Sequence, residues 1–134
     1  MASLEPTTAE SVLVIDDDDD FRASCVEVLA AAGYRATGAE SGEAALAILR
    51  SGAPLPALLI LDLMMAGMDG YAFRDAQLAD PGLATIPVLV MTAGGDPVRS
   101  RLRGAAFLSK LAPFGELLVV MRRLLDAGRL SPEI

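Results

Sequence analysis

The chain has no histidine, a single cysteine, no long apolar run and no excess of positive charge. Each absence removes a class of function. Without histidine there is no phosphohistidine carrier, no histidine-based catalytic triad and no imidazole metal ligand. The lone Cys25 excludes an internal disulfide and suits a reducing cytosol. Its place on the apolar side of an expected helix assigns it to packing. No stretch is long enough to span a membrane, and the amino terminus lacks the basic-then-apolar order of a signal peptide. A net charge of −7 argues against a general nucleic-acid-binding surface. What remains is a chain of 134 residues, 53 % of them hydrophobic, enough for one domain with a real core.

Four apolar runs break off abruptly at polar residues. The run ALLILD at 57–62 has no polar residue before Asp62, and VLVI at 12–15 stops at Asp16 and Asp17. IPVLVMT at 86–92 ends in Thr92, and AAFLSK at 105–110 ends in Lys110. A short continuous apolar run bounded by charge reads as a buried parallel strand whose last residue emerges at the sheet edge. Ligands of open α/β sheets bind at that carboxyl edge, so acid, acid, hydroxyl and ammonium are expected to converge on one site. Such a set suits a hard cation and a phosphoryl group.

Helical segments alternate with the strands. Phe21, Cys25, Val28, Leu29 and Ala32 form one inward stripe that Gly33 stops. Ser41 is the expected N-cap of a second helix burying Ala45, Ile48 and Leu49. A third helix is expected over Gly70–Ala79 with Asp69 as its cap, and a last one over 113–127 with Gly128 after its end. Alternation of this kind implies a doubly wound parallel sheet, and five strands with five helices give the flavodoxin-like order 2-1-3-4-5. The switch point then falls between the first and third strands, which carry Asp16, Asp17 and Asp62. Residues 1–10 and 128–134 read as flexible tails around a domain at 11–127.

The order and local sequence of these residues resemble the receiver domain of two-component response regulators. The resemblance rests on Asp16-Asp17 after the first strand and on the segment DLMMAGMDG at 62–70. Thr92-Ala93 after the fourth strand and FLSK at 107–110 complete it. It implies a stand-alone bacterial phosphorelay component in the cytoplasm. Asp62 would accept a phosphoryl group from a sensor histidine kinase or a histidine phosphotransfer protein and alter contacts with a downstream protein. Such a chain catalyses only its own phosphorylation and dephosphorylation. Magnesium would be held by Asp17, Asp62 and the backbone carbonyl of Met64, with Asp16 acting through water. Lys110, Thr92 and the backbone of Ala93 would hold phosphoryl oxygens, and Thr92 with Phe107 would form the switch. Ala23, Val26 and Ala30 form a second apolar stripe on the first helix and are candidate contacts for the phosphodonor protein.

Two other readings compete. A degenerate receiver would bind partners without phosphorylation. A magnesium-dependent phosphatase of the haloacid dehalogenase type would need an aspartate two residues after Asp62, where Met64 stands. The acidic run at 16–20 also imitates a calcium loop, but Phe21 occupies the place of the obligatory glycine and a strand replaces the entering helix. Asp18, Asp19 and Asp20 are instead suited to a helix start.

The chain departs from the family pattern in three places. Ala66 stands where proline is usual, and Leu111 follows Lys110 where a cis proline is usual, so a trans bond is expected there. The interval from Thr92 to Lys110 is about four residues short, roughly one helical turn. The fourth helix should therefore be only about 97–103, opened by Asp96 and Pro97 and stopped by Gly104. It carries Arg99, Arg101 and Arg103, which would offer charge to an acidic partner. So short a helix also predicts a monomer.

Overall fold

A computed structural model describes residues 10–94 and 96–130. The expected tails lie outside these residues, apart from Glu10 at one end and 128–130 at the other. The strands are β1 (Ser11–Ile15), β2 (Arg35–Ala39), β3 (Leu58–Asp62), β4 (Val88–Thr92) and β5 (Ala106–Ser109). They form one parallel sheet in the order β2-β1-β3-β4-β5, as expected. Four α-helices connect or follow them: α1 (Asp19–Ala31), α2 (Gly42–Leu49), α3 (Gly70–Ala79) and α4 (Phe114–Leu130).

Side chains alternate across a strand, so each apolar run feeds two cores. Leu13, Ile15, Leu59, Leu61, Val88 and Val90 pack on one face with α2 and α3 residues such as Leu46, Leu49 and Phe73. Val12, Val14, Leu58, Ile60, Leu89 and Met91 pack on the other with Cys25 and Leu29 of α1 and Leu117, Met121 and Leu125 of α4. Burial on both faces explains why these strands read as unbroken apolar runs.

Side-chain oxygens set the helix starts. Asp18 Oδ1 accepts from the amides of Asp20 and Phe21, both at 3.1 Å. Ser41 Oγ accepts from Ala44 N at 3.0 Å, and Asp69 Oδ1 from Ala72 N at 2.9 Å. These bonds satisfy amides that have no partner within the helix. Gly70 opens α3 against β3, where a Cβ would lie 2.6 Å from the carbonyl oxygen of Asp62. Only glycine lets the helix start that close to the site.

Several expectations are corrected in detail. In α2, Leu46 is buried whereas Ile48 is 41 % exposed. Ala32 is exposed, because α1 ends one residue earlier. Helix α4 continues through Gly128 to Leu130, since one glycine costs a helix only about 1 kcal/mol.

The expected fourth helix is a single 3-10 turn, Arg99–Leu102, with no side-chain cap. A 3-10 turn rises about 2.0 Å per residue against about 1.5 Å for an α-helix, so it spans more distance with fewer residues. Leu102 anchors it in the core at 1 % exposure. Three polar contacts fasten it to α3: Val98 N donates to the Tyr71 hydroxyl (2.8 Å), Arg101 pairs with Asp75 (2.8 Å), and Arg74 Nη2 donates to the Arg103 carbonyl (2.6 Å). Gly104, at φ +80°, turns the chain beside the Arg74 guanidinium into β5.

Candidate functional site

The carboxyl ends of β1 and β3 lie side by side, with Ile15 paired to Leu61. Their following residues bring Asp16, Asp17 and Asp62 together, with one carboxylate oxygen from each inside a 4.8 Å span. Asp16 and Asp62 are almost fully buried, at 2 % and 3 % exposure, whereas Asp17 faces solvent. Across the sheet edge Lys110 Nζ lies 2.8 Å from Asp16 Oδ2 and 3.4 Å from Asp62 Oδ1. Its ammonium also sits 4.6 Å above the Phe21 ring. The acids of β1 and β3 and the ammonium after β5 thus meet, as inferred from three of the four strand ends.

Backbone amides hold each acid. Asp18 N donates to Asp16 Oδ1 (2.9 Å), Met64 N to Asp62 Oδ1 (3.3 Å) and Ala66 N to Asp17 Oδ2 (3.0 Å). Burial, followed by the adjacent Asp16 charge, lifts the Asp62 carboxyl to about 6 despite relief from Lys110. Burial pulls the Lys110 ammonium down, but its bonds to Asp16 and Asp62 outweigh this and its pKa rises. The cluster therefore has unbalanced negative charge with hard oxygen donors. That donor set fits a divalent cation such as magnesium, and Asp16, Asp17 and Asp62 are the side chains that could hold one.

Beside Asp62 opens a cavity of about 90 Å³ whose lining includes Met64, Tyr71, Thr92, Ala93 and Pro97. Thr92 and Ala93 thus share a wall with Asp62. Phe107 does not line this cavity. It borders a neighbouring space of about 250 Å³ that shares Thr92, Asp96 and Pro97 with the first. Thr92 and Phe107, the expected switch positions, both line this second space. The half-buried Phe107 ring lies 4.1 Å beneath the Arg99 guanidinium.

Of the second stripe on α1, Ala23 and Ala30 are exposed, but Val26 is half-buried against the α1/α4 core. Sequence reasoning missed Arg22, whose Nη1 donates to the Asp16 carbonyl at 2.7 Å while its stem covers Gly38 of the edge strand. The available signal was the side chain-free Gly38, which leaves room for a long neighbour. The donors on Asp17 and Asp62 were also missed. They are main-chain groups, and the one signal was Ala66 itself, whose N–H a proline would lack.

Comparison with known proteins agrees with this geometry. Residues 12–119 match the family model described as the response regulator receiver domain. The C4-dicarboxylate transport transcriptional regulatory protein DctD of Rhizobium meliloti is 38 % identical over 95 % of this chain and 28 % of its own length. Response regulator Rre1 of Synechocystis is 34 % identical over 92 % of this chain and 54 % of its own. The chain therefore spans roughly a quarter to a half of these curated relatives. Among solved structures, the signal receiver domain of a signal transduction histidine kinase from Syntrophus aciditrophicus superposes with a TM-score of 0.80. It shares 29 % identity and the match covers 94 % of this chain and 97 % of that one. By fold, strand-end cluster and family match, this chain belongs to the receiver domains of two-component response regulators.

Proposed function

We propose that this receiver works as a phosphorylation switch in which Asp62 is the phosphoacceptor. A carboxylate oxygen of Asp62 attacks the phosphorus of a phosphohistidine on a partner kinase or phosphotransfer protein. The phosphorus–nitrogen bond breaks, its electron pair stays on the imidazole, and an acyl phosphate forms on Asp62. Such a transfer needs positioning and charge stabilisation more than covalent help. The contact of one ammonium with two buried carboxylates carries this reading, because Lys110 at 2.8 and 3.4 Å is placed to follow charge as it moves onto a phosphoryl group. Thr92 and the Ala93 amide complete the oxygen-binding wall. A magnesium ion held by Asp17, Asp62 and the Met64 carbonyl, with Asp16 acting through water, would neutralise charge on the phosphoryl oxygens.

The switch runs from Thr92 towards Phe107 and changes contacts with a downstream protein. The phosphodonor docks beside Asp62, and the chain acts as a cytoplasmic monomer that catalyses only its own phosphorylation and dephosphorylation. Among the described residues no helix is long and apolar enough to cross a membrane.

Intact-mass spectrometry after incubation with acetyl phosphate tests the assignment. One phosphoryl group is expected on the wild type with magnesium, and none on Asp62→Asn or in excess chelator. Uptake by the Asn variant would reject Asp62. The degenerate alternative draws on Leu111, 90 % exposed directly after Lys110, and on the single 3-10 turn. It requires that the wild type take up nothing even with magnesium.

A further inference from the structure

Asp17 is the one carboxylate of the cluster in contact with solvent. An exposed aspartate moves among rotamers, and ordering it costs free energy when an ion binds. Here one of its oxygens is already engaged. Ala66 N donates to Oδ2 at 3.0 Å, joining the loop after β3 to the loop after β1 across 49 positions of sequence. Oδ1 stays available to another ligand. This donor exists because residue 66 is not proline, which has no N–H to offer. Gly67, at φ +72°, follows it and turns the loop away towards α3.

We propose that the Ala66 main-chain amide is a positioning donor for Asp17, which holds that carboxylate in the cation cluster before the ion arrives. The proposal rests on the cation reading given above. Carboxylates that bind metals are themselves usually hydrogen-bonded, and loss of that outer partner typically weakens metal binding about 10–100-fold. Asp17 is exposed and water can partly replace the amide, so the effect belongs at the low end of that range. A purely structural tether between the two loops would change stability and leave cation affinity alone.

Titration of magnesium chloride into the full chain by calorimetry, with urea denaturation in chelator as a companion, separates these roles. Ala66→Gly keeps the N–H and should bind within about twofold of wild type, whereas Ala66→Pro should bind about tenfold more weakly. Their urea midpoints without metal should stay close to wild type. If Ala66→Pro does not fold, replacing the 65–66 peptide bond by an ester exchanges the N–H donor for an oxygen while keeping the alanine side chain, and should weaken binding at least about tenfold. The Ala66 amide proton should resist exchange in both the metal-free and the magnesium-loaded protein. Unchanged affinity in the variants lacking the donor overturns the proposal, as does equal weakening in Ala66→Gly, which would assign the effect to loop shape. A wild type that does not bind magnesium at all rejects the cation reading itself.

Discussion

Replacing Asp62 by asparagine should stabilise the metal-free protein, although it removes the proposed phosphoacceptor. The side chain is 3 % exposed and shares its surroundings with Asp16. Its carboxyl titrates near 6 rather than 3.8, first because of burial and then because of Asp16. One pKa unit is about 1.4 kcal/mol, so holding Asp62 ionised in the fold costs about 3 kcal/mol above pH 6. The sign follows from proton counts. Between pH 3.8 and about 6 the unfolded chain has released this proton while the folded chain retains it, so stability falls as pH rises. Below that window both states are protonated and Asp62 contributes no difference. The asparagine side chain cannot ionise, keeps nearly the same shape and still accepts from Met64 N. Lys110 keeps Asp16 as its nearer partner. The assay is urea denaturation of wild type and Asp62→Asn in chelator from pH 4 to 8. The variant should gain about 1–3 kcal/mol at pH 7.5, the gain should shrink towards zero near pH 4, and saturating magnesium should narrow it. A difference that is absent at pH 7.5, or constant with pH, would refute the claim that uncompensated charge on Asp62 strains the metal-free fold.

Arg74→Met should cost about 1–3 kcal/mol and speed amide exchange around residues 98–105, because it strips donors from the Gln77 side chain and the Arg103 carbonyl; an unchanged urea midpoint would contradict this. Cys25 is fully buried, and burial, then Asp16, lift its thiol to about 11, so iodoacetamide at pH 8 should label it only on unfolding. Native-state labelling at the rate of a free thiol would show the α1 packing to be wrong. Sedimentation with and without beryllium fluoride should give a monomer in both cases, since the Arg99–Leu102 turn offers little apolar area for a dimer; a stable activated dimer would count against it. Partner binding should weaken with salt and with reversal of Arg103 to glutamate, whereas Arg99 and Arg101 are already engaged with Phe107, Tyr71 and Asp75. Binding insensitive to both changes would place the output surface elsewhere.

The central strands were legible because burial on both faces forces continuous apolar runs, and the site was legible because each run stops at the residue it presents. Strand β2 gives no such signal: its sequence RATGA lies at the sheet edge and only Ala39 is buried. Helix α2 misled in a different way. Its stretch AALAIL is apolar at every position, so periodicity cannot choose between Leu46 and Ile48. Arg74 and Gln77 were invisible for the opposite reason, since polar residues inside a helical pattern read as its wet face. In the fold they are buried together, and Gln77 Nε2 donates to the carbonyls of Leu83 and Ile86, both at 3.0 Å. Those partners belong to an irregular turn, closed by Ile86 N donating to the Leu83 carbonyl at 3.1 Å, whose outward carbonyls only a three-dimensional arrangement reveals.

The aim of Lys110 was the least legible feature in the sequence, because Leu111 replaces the proline that usually follows it. No peptide bond among the described residues is cis. The lysine is directed by other means. Lys110 N donates to the Thr92 carbonyl at 2.7 Å, extending the β4–β5 pairing one residue beyond the strand end. A turn closes next, with Ala112 N donating to the Ser109 carbonyl and Leu111 N to Ser109 Oγ, each at 3.0 Å. These bonds fix the backbone on both sides of Lys110. The Phe21 ring, itself against Phe114 at 6.3 Å, then supports the ammonium from below. A cation over an aromatic face gains about 0.5–2 kcal/mol, comparable to what a single hydrogen bond contributes. Strand register, a serine-closed turn and an aromatic floor therefore direct Lys110 at Asp16 and Asp62. Leu111, freed from that task, projects into solvent.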